Sequence, residues 1–159
     1  MSAKLAEKIQ LGLDELAVIT GMMSPLIART REPELPVIET AAACTMLHSF
    51  YTEIEKILKL IALDLDRKLP SSESWHRDLL SQMAASTEMR PAVITPGLVT
   101  RLAELLAFRH LFRGASIALM RWDKLAPLVA KVDGVHKEIA QELNQFQSFL
   151  RTGQADPQL

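Results

Sequence analysis

A chain of 159 residues is the length of one domain, long enough to bury roughly 70% of its unfolded surface. Leu, Ala, Ile and Met dominate and only 5% of residues are aromatic, which favours a helical core over a sheet. A net charge of -1 argues against binding nucleic acid through bulk charge, although a total conceals a small basic site. Cys44 is the only cysteine, which excludes an intramolecular disulfide and suits a reducing compartment.

Leu5, Ile9, Leu13, Leu16 and Ile19 recur at helical spacing and predict a first helix over about Ala3 to Thr30. Pro25 is expected to kink or end it. Asp14 and Glu15 interrupt any secretory apolar core. The uncharged stretch Leu16 to Ala28 falls short of the roughly 20 residues that span a bilayer. No membrane segment and a cytoplasmic location are therefore expected.

After the turn Arg31 to Pro36, a long second helix carries the stripe Leu47, Phe50, Ile54, Leu58, Ile61 and Leu65. Glu55 with Lys59, and Asp64 with Lys68, are spaced as surface pairs on it. Leu69 to Ser74 breaks it, and a short helix follows from Trp75 to about Ala85, capped by Ser72 or Ser74. Thr95 and Pro96 open a fourth helix as N-cap and first-turn proline. That helix carries Leu98, Leu102, Leu105, Leu106 and Phe108 into Arg109-His110-Leu111-Phe112-Arg113-Gly114. A last helix starts near Asp123 with the stripe Leu128, Val132, Val135, Ile139, Leu143, Phe146 and Leu150, and Asp133-Gly134 is a weak point within it. The expectation is an all-α, up-and-down bundle of about five helices: one domain over residues 1–152 and a polar, disordered tail at 153–159.

Arg109 and Arg113 lie four apart, on one helical face. Two guanidiniums so placed make a phosphate clamp, because each presents a planar fork of donors. The plainer reading is a solvated basic last turn favoured by the helix dipole, with Gly114 as its left-handed cap. His110 points about 100° away from Arg109 around the helix. Cys44 and His48 are an i,i+4 pair, but a zinc site wants about four ligands. A core cysteine beside a satisfied histidine is the better reading, and neither metal nor cofactor is expected. Asp133 with His136 likewise lacks the other half of a di-metal motif. Trp75-His76-Arg77-Asp78 reads either as a polar site or as a capped helix start. Met22, Met23, Met46, Met83 and Met89 read as core filler.

Several blocks together resemble HepT-like proteins of the HEPN superfamily. They are Phe50 to Ala62, Ser74 to Met83, Arg90 to Ile94, Phe108 to Arg113 and Trp122 to Val129, in order across roughly residues 10 to 150. The resemblance implies a HEPN-like helical fold that forms a homodimer with active sites at the dimer interface. It implies a toxin that cleaves RNA without metal, neutralised by a minimal nucleotidyltransferase that adds AMP to a motif tyrosine. The family motif is Arg-x(4–6)-His-x-Tyr. Here the arginine is Arg109, but Gly114 stands where the histidine is usual and Ser116 where the tyrosine is usual. Ile117 and Leu119 depart as well, which favours divergence over a deliberate change.

A histidine serves such chemistry because it titrates near neutrality, and an arginine stabilises charge on phosphorus. The sequence therefore leads to a HepT-like protein whose cleavage is impaired, with Arg109, His110 and Arg113 as site residues and Arg109 and Arg113 as RNA contacts. The competing readings are an active ribonuclease using His110, or His76 supplied across the dimer, and a non-catalytic module that binds a nucleotidyltransferase.

Overall fold

The apolar spacing generates six α-helices in the computed structural model, which describes residues 2–114 and 116–153. They are α1 (Ser2–Ile27), α2 (Val37–Ile61), α3 (Trp75–Ala84), α4 (Pro96–Gly114), α5 (Trp122–Val129) and α6 (Val132–Thr152). No strand occurs among the described residues. The architecture is the all-α bundle expected, with the last helix in two pieces. Its break falls at Ala130–Lys131, just ahead of the weak point at Asp133-Gly134. Of the expected tail, only Gly153 is described; it closes α6 with φ 68° and donates its N–H to Phe149 O at 2.7 Å. No helix among the described residues is long and apolar enough to cross a membrane.

One core runs from Leu5 to Leu150. α1 packs against α2 and α6, while α2 also contacts α3, α4 and α5. With neighbours on most sides, α2 buries far more than one stripe, including Glu53 and Glu55. Pro25 does not end α1, which runs on to Ile27. Pro25 and Gly21 are both exposed, so the carbonyl deprived of its bond one turn back faces solvent.

α2 ends in a wide π-type turn, Ala62–Asp66, followed by Arg67 in the left-handed region at φ 54°. This break turns Lys68 out of register with Asp64, and the expected Asp64–Lys68 pair does not form. Asp66 instead meets Arg90, whose side chain is 0% exposed. Arg90 donates from Nε and Nη2 to the two carboxylate oxygens at 2.8 and 2.6 Å, and to the carbonyls of Gln82, Ala85 and Pro91 at 2.8–3.1 Å. Burial pushes the Asp66 carboxyl up, but the hydrogen bonds from Arg90 and Gln82 hold it below its ordinary range. The latch ties the end of α2 to the end of α3 and to the connector before α4. That connector ends as expected, with Thr95 Oγ1 accepting the N–H of Leu98 at 3.3 Å.

Two glycines of α1 separate packing from propensity. A Cβ at Gly12 would lie 2.6 Å from Ile57 Cγ1, whereas one at Gly21 would meet nothing within 4 Å. Gly21→Ala is therefore expected to stabilise by about 0.5–1 kcal/mol through helix propensity. Gly12→Ala is expected to destabilise by about 1–3 kcal/mol, overpacking outweighing the same gain. Urea unfolding of the two variants checks the opposite signs.

Candidate functional site

The middle of α2 presents His48, Tyr51, Thr52 and Glu55 at three- and four-residue spacing, hence on one face. That face meets α3 and α4. Glu55 is 5% exposed, and a carboxylate so enclosed needs a charged or hydrogen-bonding partner. Its Oε2 lies 2.5 Å from His76 Nδ1 and its Oε1 lies 3.7 Å from Arg109 Nη2. Arg109 Nη1 in turn lies 3.4 Å from both ring nitrogens of His76.

The elements explain how these residues meet. The break at Arg67–Ser74 reverses the chain, so that His76, second residue of α3, turns back onto α2. Its ring stacks on Trp75 at 3.6 Å, and Lys59 Nζ sits 4.8 Å from the centroid of that indole. The expected Glu55–Lys59 surface pair is thus corrected. Glu55 faces inward to His76 and Arg109, and Lys59 covers Trp75. The capping of α3 is corrected too: Ser72 Oγ donates to Asp78 Oδ2 at 2.6 Å, and Ser74 makes no side-chain cap bond.

On α4 the expected residues divide. Arg109 is not part of a solvated basic turn, since its side chain is only 11% exposed, while His110 and Arg113 are exposed. The His110 ring is 5.1 Å from that of His76, edge to face. Burial, then His76, Arg109 and Arg113, push the His110 imidazole below its ordinary pKa, against a smaller opposite pull from Glu55. His48 packs on Phe112 at 5.5 Å and is lowered by burial and by the same two guanidiniums. Both imidazoles are therefore neutral at pH 7 and able to accept a proton. Burial and Glu55 push the Tyr51 phenol up, so it stays protonated.

Gly114 ends α4 without the left-handed conformation of a cap. It is exposed, and a Cβ there would meet nothing within 4 Å. Ser116 is exposed, and its Oγ accepts the N–H of Ala118 at 3.3 Å to open the short turn Ile117–Leu119. Cys44 is buried with a free thiol that burial pushes up. Met23 and Met83 are core residues as expected, but Met22 and Met89 are 58% and 72% exposed. Sequence reasoning left Glu55 out of the site, and it offered His76 as part of a polar site or from across a dimer, whereas His76 meets Arg109 within the same chain. The available signal was Glu55 itself, set one turn from Tyr51 and one from Leu58 on an otherwise apolar flank.

The fold and site describe an all-α helical bundle in which Glu55, His76 and Arg109 meet between three helices. The family model described as HepT-like protein matches residues 42–150, which includes every member of the cluster. The chain belongs to the HepT-like family. Neither a curated protein nor a solved structure matches it significantly.

His48, His110 and His136 are all held below their ordinary pKa in the folded chain, burial being the leading cause for each. The unfolded chain then binds more protons once pH falls below about 6.5, so folding stability is full above that value and declines through the window down to the folded pKa values. We expect urea midpoints to fall between about pH 7.5 and pH 5, and the fall to shrink in His48→Gln and His136→Gln. Midpoints independent of pH over that range would contradict these assignments.

Proposed function

We propose that this HepT-like chain is the toxin-side member of a toxin–antitoxin type module: a homodimeric RNA-binding protein, ancestrally a metal-independent endoribonuclease, whose cleavage is impaired. One observation carries the reading. Arg109 is anchored in a cluster with His76 and Glu55, while the motif position at Gly114 is an open, exposed helix end with no side chain. Cleavage needs the ribose 2′-hydroxyl deprotonated as it attacks phosphorus, and the departing 5′-oxygen protonated. Arg109 and Arg113 supply charge for the phosphate; Gly114 cannot move a proton. Ser116 keeps a hydroxyl but offers no phenol to a minimal nucleotidyltransferase. The dimer reading is supported by the exposed Leu111, Ile117 and Leu119 flanking the motif, an apolar strip that a second copy would cover. A single cysteine, which suits a reducing compartment, supports a cytoplasmic location.

His110 sustains a second reading, an active ribonuclease. It is exposed, adjacent to Arg109, and neutral at pH 7 for the reasons above. A third reading, an interaction module that only binds a nucleotidyltransferase, uses the same apolar strip.

Restoring the motif separates them. A general acid or base is worth about 10²- to 10⁴-fold in rate, and position 114 has room for one. Gly114→His, alone and with Ser116→Tyr, is expected to raise cleavage of a labelled RNA by about that factor, and Arg109→Ala to abolish the gain. Wild-type cleavage that Gly114→His leaves unchanged and His110→Ala removes would establish the second reading. Absence of RNA binding, with a stable nucleotidyltransferase complex, would establish the third.

A further inference from the structure

Arg90 is buried and Arg109 nearly so, and they are bonded very differently. Arg90 is saturated: its guanidinium makes five hydrogen bonds of 2.6–3.1 Å. Arg109 is almost as enclosed, yet its polar contacts lie at 3.4 Å to His76 and 3.7 Å to Glu55, and its buried Nε has no partner. A guanidinium has five N–H donors. A purely structural buried arginine gains by bonding them all, as Arg90 does, because each unmet donor carries a desolvation cost. The Nε is sealed inside, so the donors Arg109 can offer at the edge of the core are the Nη hydrogens that its long contacts to His76 and Glu55 leave over.

The groups beneath it are fixed. Glu55 Oε2 and His76 Nδ1 are 2.5 Å apart, and the imidazole is held at its edge by that carboxylate and on its face by the Trp75 ring. Such a pair settles the orientation of the imidazole, as outer-shell carboxylates do for histidines in other sites. Above Arg109, the exposed side of α4 carries His110 and Arg113.

We infer that Glu55 and His76 are positioning residues: together they form a seat that holds the Arg109 guanidinium at the α4 surface, its free donors directed to a backbone phosphate of RNA shared with Arg113. The assignment rests on the RNA-binding reading above and adds two residues to it. It differs from a buried ion pair, whose purpose ends with the fold. It also differs from simple charge offset, in which the Glu55 carboxylate would weaken the hold of Arg109 on an anion.

A double-mutant cycle tests it, read by fluorescence anisotropy with a labelled single-stranded RNA and the full chain. Arg109→Met is expected to weaken binding about tenfold and to make the dependence of log K on log salt shallower by about one. Glu55→Met and His76→Gln are each expected to weaken binding several-fold when Arg109 is present, and to have no further effect in the Arg109→Met background. Glu55→Gln keeps the side-chain shape should Glu55→Met fold poorly, and the same sign with a smaller effect is expected. Equal losses with and without Arg109, no loss, or tighter binding by Glu55→Gln would each overturn the positioning role while leaving the Arg109 effect standing. A wild-type chain with no affinity for the RNA would overturn the RNA-binding reading itself, and the seat with it.

Discussion

A carboxylate buried in the middle of α2 constrains everything packed around it. An unpaired charge in the core costs about 3–5 kcal/mol, so a carboxylate as enclosed as that of Glu55 must be met by partners. One partner comes from α3 and the other from α4, so a single side chain dictates which faces of two later helices turn towards α2. His76 must lie in the first turn of α3 and point back; Arg109 must lie on the inner side of α4. The registers of α3 and α4 against α2 follow from those two contacts together with the apolar stripes, which alone would tolerate some rotation.

The second buried ion pair secures the same arrangement from the far end of α2. The wide turn Ala62–Asp66 and the left-handed Arg67 release the chain from helical register and leave Asp66 facing inward. Arg90 then bonds Asp66 and three carbonyls at once, which closes the end of α3 and satisfies groups that a helix terminus leaves unbonded. With Asp66–Arg90 at one end and Glu55–His76 at the other, the ten residues of α3 are held at both ends. So short a helix has little intrinsic stability, and these contacts are what keep Trp75 and His76 in place.

The helices were legible because their stripes are local: Leu47, Phe50, Ile54, Leu58 and Ile61 announce α2 whatever surrounds it. The cluster was not legible, because spacing along one helix says nothing about which neighbour covers each face. Glu55 and Lys59 are spaced as a surface pair, and only the return of α3 over that face converts Glu55 into a buried residue. Arg109 fails the same test in reverse: a basic helix end is ordinarily solvated, and α2 and α3 enclose Arg109 while Arg113 stays exposed. Pro25, expected to kink or end α1, lies two residues before its end at Ile27, and the carbonyl it deprives of a bond is on the exposed side one turn back.

The two ends of the α4 motif therefore answer to different constraints. Arg109 packs against His76 and Glu55 inside the bundle, so its loss would empty an enclosed position whatever the protein binds. Gly114 and Ser116 stand in open surroundings where side chains come and go without repacking the core, and surface substitutions of that kind ordinarily change stability by less than about 0.5 kcal/mol. The fold thus constrains the arginine and leaves position 114 unconstrained, little more than one helical turn away. What points beyond packing is the way Arg109 is held, with long contacts and an unmet Nε beside an arginine of the same chain that is fully bonded.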